Sequence, residues 1–234
     1  MSQEIKIIRK TDFDLVVFKP ANMASELSND IKGNSAVAKI QELLNLKEKP
    51  KLPHRIDRVT QGLLLMTLND DALRFYNEEI KSGLWEKYYL AKIFLDQNKS
   101  AESIIGIQKA YLKENDGRSF VVKSGGKPSF LEIITVERLI SEKNSAVALI
   151  KLLTGRHHQI RIMMANLGFP LVDDFLYNTE NTCFSGQNFY LEHLIFKYRD
   201  FASKEKISLL STKHEPSFIS ESFLEKIEKI AYSS

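Results

Sequence analysis

The sequence has little of the features that mark a protein for export or for a membrane. It contains one cysteine, Cys183, among 234 residues, so no disulfide can form within the chain and a reducing compartment is expected. The first fifteen residues alternate polar and apolar side chains and contain no apolar signal core. The apolar run at residues 63–66 is far shorter than the roughly 20 residues that span a bilayer. These absences predict a cytoplasmic protein without a membrane partner.

A large excess of charge of one sign is also lacking. Lys and Arg number 33 against 30 Asp and Glu, a net charge of +3, which is a weak overall signal for nucleic acid. The distribution is more informative, because basic residues crowd two short segments, 47–58 and 151–161. Two local basic patches fit a phosphate backbone better than a uniform excess of positive charge does.

The order of the apolar runs predicts the fold class. Strands are predicted at 14–18, 63–68, 86–95, 130–139, 146–153, 189–196 and 206–210, with turn signals at Asp116-Gly117 and Gly125-Gly126. Helices are predicted within 23–46, from a cap at Asn69 or Asp70 to Gly83, from 159 to Gly168, and after Ser220. With no internal repeat and no low-complexity linker, this pattern indicates an α+β fold, with a mixed, mainly antiparallel central sheet and flanking helices.

The segment HRIDRVTQG, residues 54–62, places one carboxylate, Asp57, among cations. Nearby cations favour an ionised carboxylate, which nucleophilic attack on carbon requires, and arginines can also hold phosphates. Taken alone, the segment is more often a structural ion pair in a basic loop. The neighbours of Asp57 are the basic residues His54, Arg55 and Arg58 and the residues expected to shape a tight turn, Thr60 and Gly62.

Two adjacent tyrosines, Tyr88 and Tyr89, stand in the strand-like segment EKYYLAKI. On a strand they face opposite sides, so one can reach a site while the other packs. Aromatic faces stack on extruded bases, and each such contact contributes about 1–3 kcal/mol. Packing of both rings in the core is the ordinary alternative.

The segment 152–162, LLTGRHHQIRI, follows a predicted strand and opens a helix. A helix N-terminus with two arginines and two histidines suits an anion such as phosphate. Arg156 and Arg161 are about one and a half turns apart, so their side chains need not share a face. One can pair with a buried carboxylate while the other meets an RNA backbone. A solvated basic helix start is the simpler alternative.

These segments together resemble the RluA-type family of RNA pseudouridine synthases over about residues 12–215. HRIDRVTQGLLL is similar to the family's H-R-L-D-x-x-T-S-G-L-L-L, EKYYLA to K-x-Y-L-A, and TGRHHQIRIM with LGFPLVDDFLY to T-G-R-T-H-Q-I-R-V-H and L-G-x-P-I-x-G-D-x-x-Y. DLVVFKPAN resembles its Lys-Pro-Ala-Gly element. The departures are Asn22 and Asp173 for Gly, Gln61 for Ser, His157 for Thr and Met163 for His.

The resemblance implies a set of residue roles. Asp57 would be the catalytic residue, Tyr89 would stack on the target base and assist proton removal, and Arg161 would pair with Asp57. Arg55 would occupy the place of a flipped nucleotide. The residues expected to bind RNA or assist flipping are His54, Arg55, Arg58, Thr60, Arg156, His158 and Gln159.

The resemblance also implies what the protein does. Residues 1–234 are expected to form a single pseudouridine synthase catalytic domain without the S4-type or another accessory domain. Its activity would be isomerisation of uridine to pseudouridine in structured rRNA or tRNA, after base flipping, with Asp57 attacking either base or ribose. We expect no metal or organic cofactor and no required protein partner, and we expect a monomer whose partner is RNA.

The sequence is compatible with two other interpretations. A catalytically silent RNA-binding relative is suggested by the departures from the motifs. A metal-dependent hydrolase is conceivable because histidines and carboxylates ligate metals, but the sequence lacks a metal-binding spacing. Its ligands would come from His54, Asp57, His157, His158, Asp173 and Asp174.

Overall fold

The computed structural model describes residues 4–27, 33–139, 142, 144–178, 189–211 and 218–233, and Cys183 lies outside them. The strands are β1 Lys6–Lys10, β2 Asp14–Lys19, β3 Gln61–Thr67, β4 Glu86–Phe94, β5 Gly106–Asn115, β6 Arg118–Val121, β7 Lys127–Arg138, β8 Ser145–Leu152, β9 Leu191–Arg199 and β10 Lys206–Leu210. The α-helices are α1 Ala36–Leu43, α2 Asp70–Lys81, α3 Gln159–Asn166 and α4 Glu221–Tyr232, with a short 3₁₀ helix at Ala101–Ile104. The predicted α+β class with a mixed, mainly antiparallel sheet and flanking helices is confirmed.

The chain divides into two compact units. The first unit comprises residues 1–86 and 192–212, and the second unit comprises 87–191 and 213–234. None of the helices in the described parts of the chain has the length and apolar character needed to cross a bilayer. The expectation of one catalytic domain over 1–234 stays a prediction.

In the first unit, β3 is the buried centre. It pairs antiparallel with β2 and parallel with β9, while β1 extends from β2 and β10 from β9. Alternate side chains of β3 enter two apolar clusters: Leu63 and Leu65 pack with Tyr76 of α2, and Leu64 and Met66 pack with α1. The apolar run is therefore buried on both faces, as a strand covered by helices on both sides requires.

The helix ends of both units follow the predicted caps. Asn69 accepts the Ala72 N–H at 2.8 Å at the start of α2, and Ser220 accepts the Phe223 N–H at 3.2 Å at the start of α4. Gly83, with φ +68°, follows the C-terminus of α2. Side-chain caps satisfy backbone N–H groups that a helix leaves unpaired.

The prediction for Gly62 was wrong. It lies within β3 rather than in a turn before it, and its φ is +113°. A Cβ atom there would lie 2.4 Å from the His193 carbonyl oxygen of β9. Glycine is needed because two strand backbones approach closely. Strand β1 was not among the predicted strands. Its partly buried Ile7 gives only a weak alternation of apolar and polar side chains.

In the second unit the strands pair antiparallel in the order β4-β8-β7-β5-β6. One face of this sheet packs against α3 in an apolar cluster that includes Ile150, Ile160 and Met164. The predicted turn at Asp116-Gly117 joins β5 to β6, with φ of +47° and +71°. Both residues are left-handed there, as a two-residue hairpin turn requires.

Candidate functional site

The segment around Asp57 forms a tight turn in the first unit. The Thr60 N–H donates to the Asp57 carbonyl at 3.1 Å, and Thr60 and Ile56 are buried while Asp57 is half-buried. Arg58 is exposed. The turn therefore anchors its apolar and hydroxyl side chains and presents its charged ones.

A single hydroxyl holds the residue before Asp57. The Ser25 Oγ donates to the Ile56 carbonyl at 2.7 Å and accepts the Ile56 N–H at 3.3 Å. Ser25 is buried, so water does not compete for these bonds. One side chain satisfies both backbone groups beside the proposed catalytic carboxylate, which fixes the path of the chain into it.

A buried lysine holds the residue after Asp57. Lys19 Nζ donates to the carbonyls of Pro20 at 3.0 Å, Met23 at 2.6 Å and Arg58 at 3.3 Å. Burial lowers the pKa of Lys19 to about 7, while the charge of Asp57 raises it. Three carbonyl acceptors match the three N–H donors of an ammonium group, so this geometry favours the charged form.

The same two segments are joined once more by Arg58. Its Nε donates to the Asn22 carbonyl at 3.1 Å, and Asn22 has a left-handed φ of +64°. The expectation that Asn can replace Gly in this turn is confirmed, because Asn tolerates that conformation. Residues 19–25 thus hold both sides of Asp57 through main-chain bonds.

His54 is turned toward the interior of the first unit. Its Nε2 accepts the Leu65 N–H at 3.0 Å, and its ring lies edge-on to Trp85 at 5.2 Å. The histidine therefore accepts a hydrogen bond from the backbone of β3. This is a structural contact, and contact of His54 with RNA stays a prediction.

Gln61 has a partner that explains its departure from the family's serine. Its Nε2 donates to Glu192 Oε2 at 3.1 Å, and the other carboxylate oxygen accepts the Ser211 hydroxyl. Glu192 is buried in β9. The longer amide side chain of Gln61 thus donates a hydrogen bond to a buried carboxylate. Burying a charge without such bonds costs free energy.

In the second unit, Arg161 pairs with a carboxylate inside the fold. Its Nε and Nη2 donate to the two oxygens of Asp174, each at 2.7 Å, and both side chains are buried. The buried carboxylate that pairs with Arg161 here is Asp174. The pairing of Arg161 with Asp57 that the resemblance implies stays a prediction.

Gln159 braces the loop before α3. Its Oε1 accepts from Thr154 Oγ1 at 2.8 Å and from the Arg156 N–H at 3.0 Å, and its Nε2 donates to the Phe130 carbonyl at 2.9 Å. Gln159 is buried and Arg156 is exposed. The Gln159 amide therefore stabilises the loop. Arg156, which is exposed, is the residue placed to contact a phosphate backbone.

His158 is a neutral residue at the start of α3. Its φ is +52°, and its Nδ1 lies 2.9 Å from the Tyr177 hydroxyl, which accepts the Ser119 N–H. Burial, followed by the charges of Arg161 and His157, lowers the pKa of His158 to about 3. It can therefore contribute hydrogen bonds but no charge to RNA near neutral pH.

The two tyrosines of β4 face opposite sides, as predicted. Tyr89 enters the core cluster of the second unit, while Tyr88 lies under Lys151, whose Nζ is 5.3 Å from the ring centroid. Each is 6% exposed. The ring of Tyr89 is therefore held rigidly, and its contact with a base stays a prediction.

The other departures from the motifs are accommodated. Asp173 has a left-handed φ of +56°, which suits the position of the family's Gly, and Asp is among the residues that visit this conformation. Met163 is buried in the core with α3. His157 stacks on His158, with ring centroids 3.7 Å apart, and its carbonyl accepts from Ser119.

Two of the residues considered for a metal site make other contacts. Asp174 binds Arg161, and His158 bonds to Tyr177. Within the part of the chain that the structure describes, no three His, Cys, Asp or Glu side chains gather as a metal ion would require.

The contacts of Ser25 and Lys19 with the Asp57 segment were not predicted from the sequence. The signal for Lys19 was its place in the segment DLVVFKPAN, which resembles the family's Lys-Pro-Ala-Gly element. The single hydroxyl of Ser25 gives no local signal, because its contact spans 31 residues of sequence.

Comparison with known proteins places this chain in a family. The RNA pseudouridylate synthase family model matches residues 13–166. The chain is 27% identical to RNA pseudouridine synthase 7 of Oryza sativa subsp. japonica over 76% of its length. It is 30% identical to the tRNA pseudouridine(31) synthase of Saccharomyces cerevisiae over 73% of its length. It spans about half of each of these relatives, 46% in both cases.

The fold has a matching solved structure. Human RNA Pseudouridylate Synthase Domain Containing 1 superposes with a TM-score of 0.77, covering 98% of this chain and 96% of that one, at 19% identity. The extent of that match shows a shared fold, and the family model covers well over half of the sequence. The chain belongs to the RluA-type family of RNA pseudouridine synthases.

Proposed function

We propose that this chain isomerises uridine to pseudouridine in RNA, with Asp57 as the catalytic carboxylate. The observation that carries the proposal is the support of Asp57 from both sides. Ser25 fixes the backbone before it, and Lys19 fixes the backbone after it. A reacting group must be held to a fraction of an ångström, and hydrogen bonds to the main chain on both sides of Asp57 contribute to this.

The reaction exchanges one bond of uracil for another. The N1–C1′ bond of uridine breaks, the uracil rotates, and a C5–C1′ bond forms. The hydrogen on C5 leaves as a proton, and N1 gains one. Asp57 acts as a nucleophile toward the base or the ribose, and it is regenerated when the carbon–carbon bond has formed.

The remaining groups prepare the base for this step. Tyr89 stacks on the flipped uracil and assists removal of the C5 proton, Arg55 fills the space the nucleotide leaves, and Arg161 keeps Asp57 ionised. The exposed Arg55, Arg58 and Arg156 bind phosphates, which positions the RNA without reading its sequence.

The substrate we propose is structured rRNA or tRNA. Among the curated relatives, one is named a tRNA pseudouridine(31) synthase and another, from Rickettsia typhi, a ribosomal large subunit pseudouridine synthase C. We further propose that the chain acts as a monomer in the cytoplasm and needs neither a cofactor nor a protein partner.

The alternative is a catalytically silent RNA-binding relative, which the departures from the motifs suggest. Asn22 and Asp173 adopt the left-handed backbone of the glycines they replace, and Gln61 satisfies a buried carboxylate. These changes preserve the loops rather than dismantle them, which favours an enzyme.

The test is release of tritium from RNA labelled at C5 of uridine, incubated with the purified protein. Release of one tritium per pseudouridine formed is expected, and mapping of pseudouridines in total RNA with and without the gene should identify the position. Tight RNA binding without any release, together with identical maps, would show that the chain is a binder.

A further inference from the structure

The sheet of the second unit has one face that α3 does not cover. Along β5 the residues alternate, with odd-numbered side chains exposed up to Lys113 and Ala110 and Leu112 buried in the core. Residues paired across antiparallel strands share a face. The outer aromatic face is defined here as Ile107, Lys109, Tyr111, Lys113, Arg118, Phe120, Pro128, Phe130 and Glu132.

Large apolar side chains stand out on this outer aromatic face. Ile107 is 68% exposed, Phe120 47% and Tyr111 39%. Single exposed apolar residues are ordinary, but three on one sheet face favour a binding surface. The face borders the basic loop before α3, because Arg156 Nε lies 3.5 Å from the carbonyl of Pro128.

The excess of positive charge on this face favours RNA as the molecule that binds there. Its charged side chains are three cations and one anion, Lys109, Lys113, Arg118 and Glu132. Lys109 Nζ lies 5.2 Å from the centroid of Tyr111 and 5.7 Å from that of Phe130, so aromatic rings and cations alternate. A flat sheet with exposed rings beside cations suits stacked bases and their phosphates.

The other half of β7 is in contact with helix α4. Beyond the register shift at Ile133/Thr135, Lys226 of α4 donates to Thr135 at 3.4 Å and Ser220 donates to Glu137 at 2.8 Å. Helix α4 therefore contacts one end of β7. In the half that pairs with β5, Pro128 is exposed and Phe130 and Glu132 are half-buried on the outer aromatic face.

We propose that the outer aromatic face is an RNA-docking surface, on which single-stranded bases stack on Tyr111 and Phe120. The lysines and the arginine of this face neutralise the phosphates between those bases. The proposal rests on the proposed function, since it extends the path of the substrate RNA from the loop of Arg156 across β5 and β6.

The experiment measures binding of a fluorescein-labelled, 20-nucleotide single-stranded RNA of mixed sequence by anisotropy. All variants are made in the full chain carrying Asp57→Asn, so that turnover does not complicate binding. The aromatic variant is Tyr111→Ala with Phe120→Ala, and the charge variant is Lys109→Ala with Lys113→Ala. The matched control is Tyr232→Ala on α4, a residue 74% exposed.

The aromatic variant should weaken RNA binding at least about tenfold, because each stacked base contributes substantially. The charge variant should reduce the slope of log affinity against log salt by about 1.4, two phosphates at roughly 0.7 each. Tyr111→Phe with Phe120→Tyr retains both rings and should bind like the parent protein. Circular dichroism melts verify that each variant is folded.

Affinity of the aromatic variant within twofold of its parent would overturn the proposal. So would an equal loss in the Tyr232→Ala control, or a change of oligomeric state without a change in RNA affinity, which would assign the face to a second copy. These outcomes are independent of tritium release by the protein with Asp57 intact. Normal release with unchanged binding refutes only the docking surface, and ring-dependent binding without release refutes only the proposed reaction.

Discussion

The two loops that carry the family motifs are stabilised in different ways. In the first unit, Lys19 and Ser25 bond to the main chain on either side of Asp57. In the second unit, the motif side chains bond to one another and to the loop, with Arg161 on Asp174 and Gln159 on Thr154. The first loop is held through its backbone on either side of Asp57, whereas in the second loop motif side chains such as Arg161 and Gln159 bond within the fold.

This difference divides the residues of the family motifs into two groups. A motif residue whose functional atoms are all bonded inside its own unit, such as Gln159, contributes by shaping the loop. Asp57 differs from Gln159 in that the backbone on either side of it is held by Ser25 and Lys19, which suits the catalytic role proposed for it. Perturbing the second loop should therefore reduce stability first, and perturbing the first loop should reduce turnover first.

The largest loss of stability is expected from breaking the ion pair of Arg161 and Asp174. Asp174→Ala leaves a buried guanidinium without its bidentate partner, which should lower the free energy of unfolding by about 3–5 kcal/mol. Urea denaturation followed by circular dichroism measures this. The control is Asp71→Ala, which removes an exposed partner of Arg74 and should change less than about 1 kcal/mol. Equal effects of the two variants would contradict the buried role of the pair.

A comparable loss is expected where the strand after Asp57 meets β9. Gly62→Ala combines a positive φ with a Cβ atom 2.4 Å from the His193 carbonyl, so we expect a loss of about 3 kcal/mol or more. Gly106→Ala has a similar φ, +104°, with nothing within 4 Å, and should cost only the backbone strain, about 1–3 kcal/mol. Thermal melts of the two variants separate the cost of the close approach at Gly62 from the cost of backbone strain alone. Identical melting temperatures would contradict an added cost of close approach.

Ser25→Ala should reduce turnover as well as stability, and it tests the first loop. It removes both hydrogen bonds to Ile56, which should reduce kcat about tenfold or more with KM nearly unchanged, and should reduce stability by about 1–3 kcal/mol. Steady-state tritium release gives both constants. Ser103→Ala, an exposed hydroxyl, is the control. A raised KM with normal kcat would show that Ser25 serves RNA binding instead.

The smallest effect is a pH dependence of stability in the second loop. The folded-state pKa of His158 is lowered to about 3, while the unfolded value is about 6.5. The unfolded chain therefore takes up a proton as pH falls below about 6.5, and the folded chain does not until about 3. Stability from this group is present above pH 6.5 and is lost toward acid.

His158→Asn removes that titration and retains a residue suited to the left-handed backbone. Thermal unfolding between pH 7.5 and 4.5 should show wild type losing a few degrees more than the variant over this range. Parallel curves for the two proteins would indicate that His158 takes up its proton normally in the folded state.

Local features of the fold could be predicted from the sequence. The caps Asn69 and Ser220, the Asp116-Gly117 turn and the end of α2 at Gly83 depend on neighbours within a few residues. The apolar run of β3 reveals burial on both faces without any knowledge of its partners. These signals are strong because propensity, pattern and turn chemistry agree.

Long-range contacts could not be predicted in the same way. The parallel pairing of β3 with β9 joins segments about 130 residues apart, and only this contact explains Gly62. Likewise the partner of Gln61 lies at Glu192. Motif resemblance located Asp57, Tyr89 and Arg161, but it did not reveal that Gln159 braces a loop, because that role depends on Phe130 of another strand.

The measurement that tests the central claim most directly is tritium release by Asp57→Asn beside Asp116→Asn. Asp116 lies in the exposed turn between β5 and β6, with a φ of +47° that Asn also accepts. We expect Asp57→Asn to lose activity at least about a thousandfold, as removal of a nucleophile does, with RNA affinity and melting temperature retained. Asp116→Asn should release tritium at the wild-type rate. Release by Asp57→Asn near the wild-type rate would contradict the account.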